Sequence, residues 1–85
     1  MASDAIRLVD MIHDRFDAGA LPRGHPERVW AEQGQGEACS ACDQALLPAH
    51  VIYEFEWREH TYRFHTGCYG LWQGELIRRG LFKPR

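Results

Sequence analysis

Cys39-Ser40-Ala41-Cys42 and His65-Thr66-Gly67-Cys68 hold all three cysteines of the chain, in two pairs of identical spacing with a histidine as the fourth member. Twenty-two residues separate Cys42 from His65. Thiolate sulfur and imidazole nitrogen are the donors that zinc takes in a tetrahedral Cys3His site. Three cysteines cannot all pair within one chain, so a disulfide framework would leave one over. A four-ligand site uses every one. The spacing therefore points to one structural zinc ion held by Cys39, Cys42, His65 and Cys68.

The rest of the composition explains why such a staple is needed. The chain has 85 residues, and a single domain of that size buries only about 60–65% of its unfolded surface. An apolar content of 45%, with three Trp, three Tyr and four Phe, argues for a folded globule over a disordered chain. No stretch approaches the roughly 20 apolar residues of a membrane span. Near the N-terminus, Asp4, Arg7, Asp10, Asp14 and Arg15 interrupt the apolar residues, which is unlike a signal peptide. With free thiols, this predicts a reducing, cytoplasmic setting.

Working outward from the ligand pairs, residues 51–57 alternate clearly. Val51, Tyr53, Phe55 and Trp57 share one face, opposite Ile52, Glu54 and Glu56. Arg58-Glu59-His60 supplies a turn, and residues 61–65 return with Tyr62 and Phe64 on the aromatic face. Arg63 then falls across from Glu54 or Glu56. This antiparallel hairpin delivers His65 to the metal. Thr66 is the expected N-cap of a helix over residues 67–79, with Cys68, Leu71, Trp72 and Leu76 inward and Gly80 at the left-handed end. A ligand in the first turn gains from the positive end of the helix, which favours thiolate.

Residues 3–18 read as an amphipathic helix capped by Ser3 or Asp4. Ala5, Leu8, Val9, Ile12 and Phe16 form its apolar stripe, Gly19 ends it and Pro22 prevents resumption. Its apolar face packs on the zinc module or serves a dimer contact. His13 lies beside the stripe, near solvent. Residues 20–38 are a connector rich in Pro and Gly, with Trp30 as the anchor that pins it to the core or, as the alternative, an exposed recognition aromatic. Ala38, Ser40 and Ala41 are small enough for a tight zinc knuckle. The predicted fold is a small α+β module: knuckle, hairpin and C-terminal helix over residues 39–79, an added N-terminal helix, and a tail at 80–85.

Other chemistry is weighed against this. His25-Pro26-Glu27 followed by Cys39-x2-Cys42 has the outline of a zinc deaminase signature. Ala38 stands where that motif has proline, the spacer is short, and His65 and Cys68 offer the metal a better second pair. Cys39-x2-Cys42 could cycle as a dithiol, but the segment after it reads as a loop, whereas redox motifs open a helix. His50 and His60 lie in turn-like settings and become ligands only if His65 is out of register. Charge is uneven: residues 1–57 hold four basic and ten acidic side chains, residues 58–85 six and two. Arg78, Arg79, Lys83 and Arg85 either complement the negative end of the last helix or form a patch for an anionic partner.

Knuckle, hairpin and ligand-bearing helix together resemble a treble-clef module, and the ligand spacing resembles the first half-site of a LIM domain. A LIM domain has a second zinc site, for which no cysteines remain, so the likeness covers residues 39–79. Leu21-Pro22, Pro26, Trp30, Gly34-x-Gly36, Tyr53-Glu54 and Trp72, added to the ligands, resemble small bacterial zinc-binding proteins of proteobacteria with no assigned activity. The resemblance implies a bacterial cytoplasmic protein and supplies no activity. The ligand count supplies the expectation instead: zinc with four protein ligands has no open position, which predicts a module that works through its surface and is not an enzyme, with a protein as partner and no membrane or small-molecule substrate. Nucleic acid is the alternative partner through the basic C-terminal part, and a redox-sensitive zinc–thiol switch is a third reading. Metallation with loss of three thiol protons takes the net charge from −2 to −3, which favours a protein over a polyanion.

Overall fold

The computed structural model describes the backbone of residues 2–81 and the side chains of residues 7–81. Helix α1 spans Ala2–Asp17, and strands β1 (Trp30–Gln33), β2 (Val51–Trp57) and β3 (His60–His65) lead into helix α2 (Thr66–Arg78). The strands form one antiparallel sheet in the order β1-β2-β3. Among the described residues no helix is long and apolar enough to cross a membrane.

The hairpin forms with the expected aromatic face, and its register settles which glutamate lies across from Arg63. Tyr53 faces Phe64, Phe55 faces Tyr62, and Glu54 faces Arg63, which donates to it over 2.8 Å. The turn is shorter than expected: only Arg58 and Glu59 turn, both with positive φ, and His60 already pairs with Trp57. Val51 and Ile52 exchange their expected environments. Val51 is 60% exposed at the sheet's end, whereas Ile52 is buried. Ile52 does share a face with Glu54, but it pairs with His65 and joins the buried core.

Helix α2 lies on the aromatic face. The Trp72 ring stacks on Phe55 and Phe64 at centroid distances of 5.1 and 5.4 Å. Its indole N–H donates to the Pro22 carbonyl over 3.0 Å, satisfying a buried donor that would otherwise be costly. That bond pins the connector, a role expected of Trp30. Trp30 instead is 47% exposed and opens β1, a strand hidden inside the presumed connector because its four residues are all exposed and show no alternation.

Both helices end as their glycines predict. Gly19 and Gly80 have positive φ, and the bonds Ala20 N–H to Arg15 O and Leu81 N–H to Leu76 O complete two Schellman motifs. On α1, Ile12 and Phe16 are buried and Leu8 half-buried, while Val9 is exposed. The helix packs on α2, as one of the two expectations had it. The Ala5, Ser3 and Asp4 side chains lie outside the described residues, although Ser3 and Asp4 fall within the helix. Thr66 is the first residue of α2 and not its cap; its hydroxyl donates to Val51 O over 2.9 Å, and His65 takes the cap position. A buried carboxylate, Glu75, joins the helices: it accepts from Arg78 and from Arg79 Nε over 2.7 Å, and Arg79 also pairs with Asp17 at 2.8 Å.

Gly34 is where the loop after β1 meets the segment before β2. Its N–H donates to His50 O over 3.1 Å, and a Cβ there would collide with the Leu46 and Leu47 carbonyl oxygens. Backbone cannot yield as a side-chain tip can. Gly34→Ala is therefore expected to lower unfolding free energy by about 1–3 kcal/mol, read as a reduced denaturation midpoint at saturating zinc.

Candidate metal centre

The first ligand pair is set by a tight loop. Ala38 and Ala45 form an isolated antiparallel bridge. Inside it Cys39 N–H donates to Gln44 O over 2.9 Å, and Asp43 N–H donates to Cys39 O over 3.0 Å. Asp43 adopts φ 64° to close the turn, a conformation Asp tolerates better than most residues. Ser40 then ties the loop to the sheet: its N–H donates to Arg63 O over 2.7 Å and its hydroxyl accepts from Arg63 N–H over 3.0 Å. These two bonds occupy the free edge of β3. The second pair comes from the last residue of β3 and the first turn of α2, so strand, helix and loop converge on one point.

Cys39, Cys42, His65 and Cys68 present their ligand atoms within 4.8 Å of one another. His65 Nδ1 is 3.5 Å from Cys42 Sγ and 3.8 Å from Cys68 Sγ. A tetrahedral zinc with Zn–S of about 2.3 Å and Zn–N of about 2.0–2.1 Å requires S···N edges of about 3.6 Å and S···S edges of about 3.8 Å. The donor set thus has the size and chemistry for one metal ion, and it is consistent with zinc. Cys39 and Cys68 are buried, Cys42 and His65 half-buried, so the centre lies at the edge of the core.

The histidine is oriented by the loop it faces. His65 Nε2 lies 3.2 Å from the Ala45 carbonyl, which accepts the ring N–H and leaves Nδ1 with its lone pair toward the sulfurs. This is the usual outer support of a metal-binding imidazole. His50 packs edge-on against His65 at 5.1 Å, but its Nδ1 accepts Leu47 N–H over 3.2 Å. His60 is at the far end of the hairpin. His25 contacts the Tyr69 hydroxyl and Gln73 and is absent from the ligand group, so the deaminase outline does not form.

Without metal, the cluster shares protons unevenly. The Cys39 thiol is brought down to about 4, chiefly by a hydrogen bond from the Cys68 thiol and then by the His65, Cys42 and Ala41 amides. Cys68, as the donor in that bond and buried beside other sulfurs, is pushed strongly up. Burial also raises Cys42. Outside the ligand set, Arg15 of α1 forms an ion pair with Asp43 and reaches Ser40 O at 3.4 Å. Its guanidinium feels the Cys42 and Cys39 sulfurs, so a cation faces a centre whose three thiolates outweigh a dication by one charge. Arg15, Ser40 and the Ala45 carbonyl carry no signature in the sequence. The Arg15–Asp43 pair spans 28 positions, and no local pattern reports so distant a contact.

The basic C-terminal residues are not a free patch where they are described. Arg78 and Arg79 are engaged with Glu75, and Arg79 also with Asp17. Lys83 and Arg85 lie outside the described residues. Comparison with family models, with curated proteins and with solved structures finds no match, so function must be argued from geometry.

His65→Ala is expected to remove the metal or weaken its binding by about 10- to 100-fold or more, since lesser changes in the outer shell already cost that much. His50→Ala is expected to leave one metal per chain. Competition with a chromophoric chelator measures both, and the reverse ranking would transfer the ligand role to His50.

Proposed function

We propose that the protein is a zinc-stapled, treble-clef-like module whose ion builds the fold and whose surface binds another protein. The observation that carries this reading is the ligand set: four protein ligand atoms lie within 4.8 Å of one another, which supports a site closed by protein. A catalytic zinc typically keeps three protein ligands and one open site, so a four-ligand ion polarises no substrate and activates no water. Its contribution is stability. In small zinc-finger systems the apparent binding free energy is roughly 10–16 kcal/mol and counts as folding energy.

The partner follows from charge. The chain is net acidic, and Arg78 and Arg79 are each paired with a carboxylate of the fold. Duplex nucleic acid needs many unspent cations to release counterions, whereas a protein surface needs a few anchors. With no open metal position and no membrane-crossing helix among the described residues, a non-enzymatic cytoplasmic interaction module accounts for the features together. The redox-switch reading has less support, because Cys39 and Cys68 are buried and slow to meet an oxidant.

Elemental analysis of purified protein is expected to give one zinc per chain, with three thiols unreactive until chelator is added. Chelation is then expected to unfold the domain cooperatively. A metal-free folded protein with an oxidised Cys39–Cys42 pair would refute the proposal.

A further inference from the structure

The arginines divide into two groups. Arg15, Arg63, Arg78 and Arg79 are each paired with a carboxylate. Arg7, Arg23, Arg28 and Arg58 make no ion pair among the described residues, and the last three gather in one place. Two adjoining hollows, of about 410 and 490 Å³, run along the connector beside the hairpin tip and share Trp57 and Arg58. Arg23, Arg58 and His60 line the first together with Tyr62, and no carboxylate does. Arg28 and the exposed Trp30 line the second, with Glu27 and Glu56. On a chain of net charge −2, two arginines over aromatic rings in a hollow without a carboxylate are a local concentration of positive charge, with Asp17 acting on Arg23 only from outside that lining.

Two of these cations are held in position. Arg23 Nη2 donates to Phe16 O over 2.9 Å and the guanidinium lies 5.0 Å from the Phe16 ring centroid. Arg58 lies 5.7 Å from the Trp57 ring. The backbone at Arg58 is also unfavourable: φ is 49° there and 70° at Glu59, in a two-residue hairpin turn that favours Asn-Gly. A left-handed conformation costs an ordinary residue roughly 1–2 kcal/mol. Hairpin stability does not explain Arg58; its side chain over the groove does.

We propose that this groove binds an extended acidic peptide segment of a partner protein, with a carboxylate between Arg23 and Arg58 and a neighbouring apolar side chain against Trp30. The proposal rests on the binding-module reading above and supplies its docking surface. Arginine takes a carboxylate through paired, charge-assisted hydrogen bonds, and an aromatic neighbour gives the anchor typical of binding hot spots. A single-stranded nucleic acid fits less well, because Glu27 and Glu56 line the second hollow where a following phosphate would come.

The test is selection of short random peptides displayed against the zinc-loaded protein, with zinc content and thermal midpoint read on every sample. Enrichment of Asp- and Glu-containing peptides with an apolar neighbour is expected. Arg58→Glu and Trp30→Ala are each expected to weaken the selected peptide about tenfold, the size of one good anchor, with zinc retained. Arg58→Asn is expected to lose the peptide while keeping or raising the midpoint, which a merely structural arginine would not do. No enrichment, enrichment of basic peptides, unchanged affinity in Arg58→Glu, or binding of a single-stranded oligonucleotide in place of peptide would each overturn the proposal. Loss of zinc from the wild-type protein would instead strike the binding-module reading, so the two failures are told apart.

Discussion

Three sulfurs and one imidazole nitrogen within 4.8 Å of one another make a cluster that has no favourable state without a cation. As thiols they compete for protons inside the core, and as thiolates they repel. A bound metal ion removes both costs and links the Cys39–Cys42 loop to the junction of β3 and α2. The rest of the architecture is arranged to bring these segments to one point. Ser40 fastens the loop to the edge of β3, the Ala45 carbonyl fixes the His65 ring, and Arg15 lets α1 report on the loop through Asp43.

The core alone is small. Trp72, Phe55, Phe64 and Phe16 are its largest fully buried side chains, and they occupy one side of the sheet, between it and the helices. The ligand loop lies at the other face and edge, where Ile52 is the buried strand residue. The buried ligands Cys39 and Cys68 belong to the same core as the aromatic cluster, and a metal bound there would tie the loop, β3 and α2 together at the edge of that core.

Much of this was legible in the sequence because it is local or periodic. The ligand pairs, the alternation of residues 53–57, the place of Tyr62 and Phe64 on the same aromatic face and the glycines ending both helices follow from spacing and backbone chemistry. What escaped depends on tertiary partners. Strand β1 has no buried face to give it a period of two, so Trp30 looked like a core anchor. Ile52 follows the polar side of its strand, and its burial depends on core packing that the strand's own alternation does not report. Thr66 is a good cap by residue type, yet its hydroxyl finds a better acceptor in Val51 O. Gly34 and Gly36 were visible as a pattern, but the reason lies in the Leu46–Leu47 backbone pressed against Gly34 and the positive φ of Gly36.

X-ray absorption at the zinc edge of the purified protein tests the central claim most directly, because it counts ligands by element and distance. The account predicts three sulfurs at about 2.3 Å and one nitrogen at about 2.0–2.1 Å, with no exchangeable oxygen. A first shell with fewer than three sulfurs, or with a water oxygen in the fourth place, would contradict it.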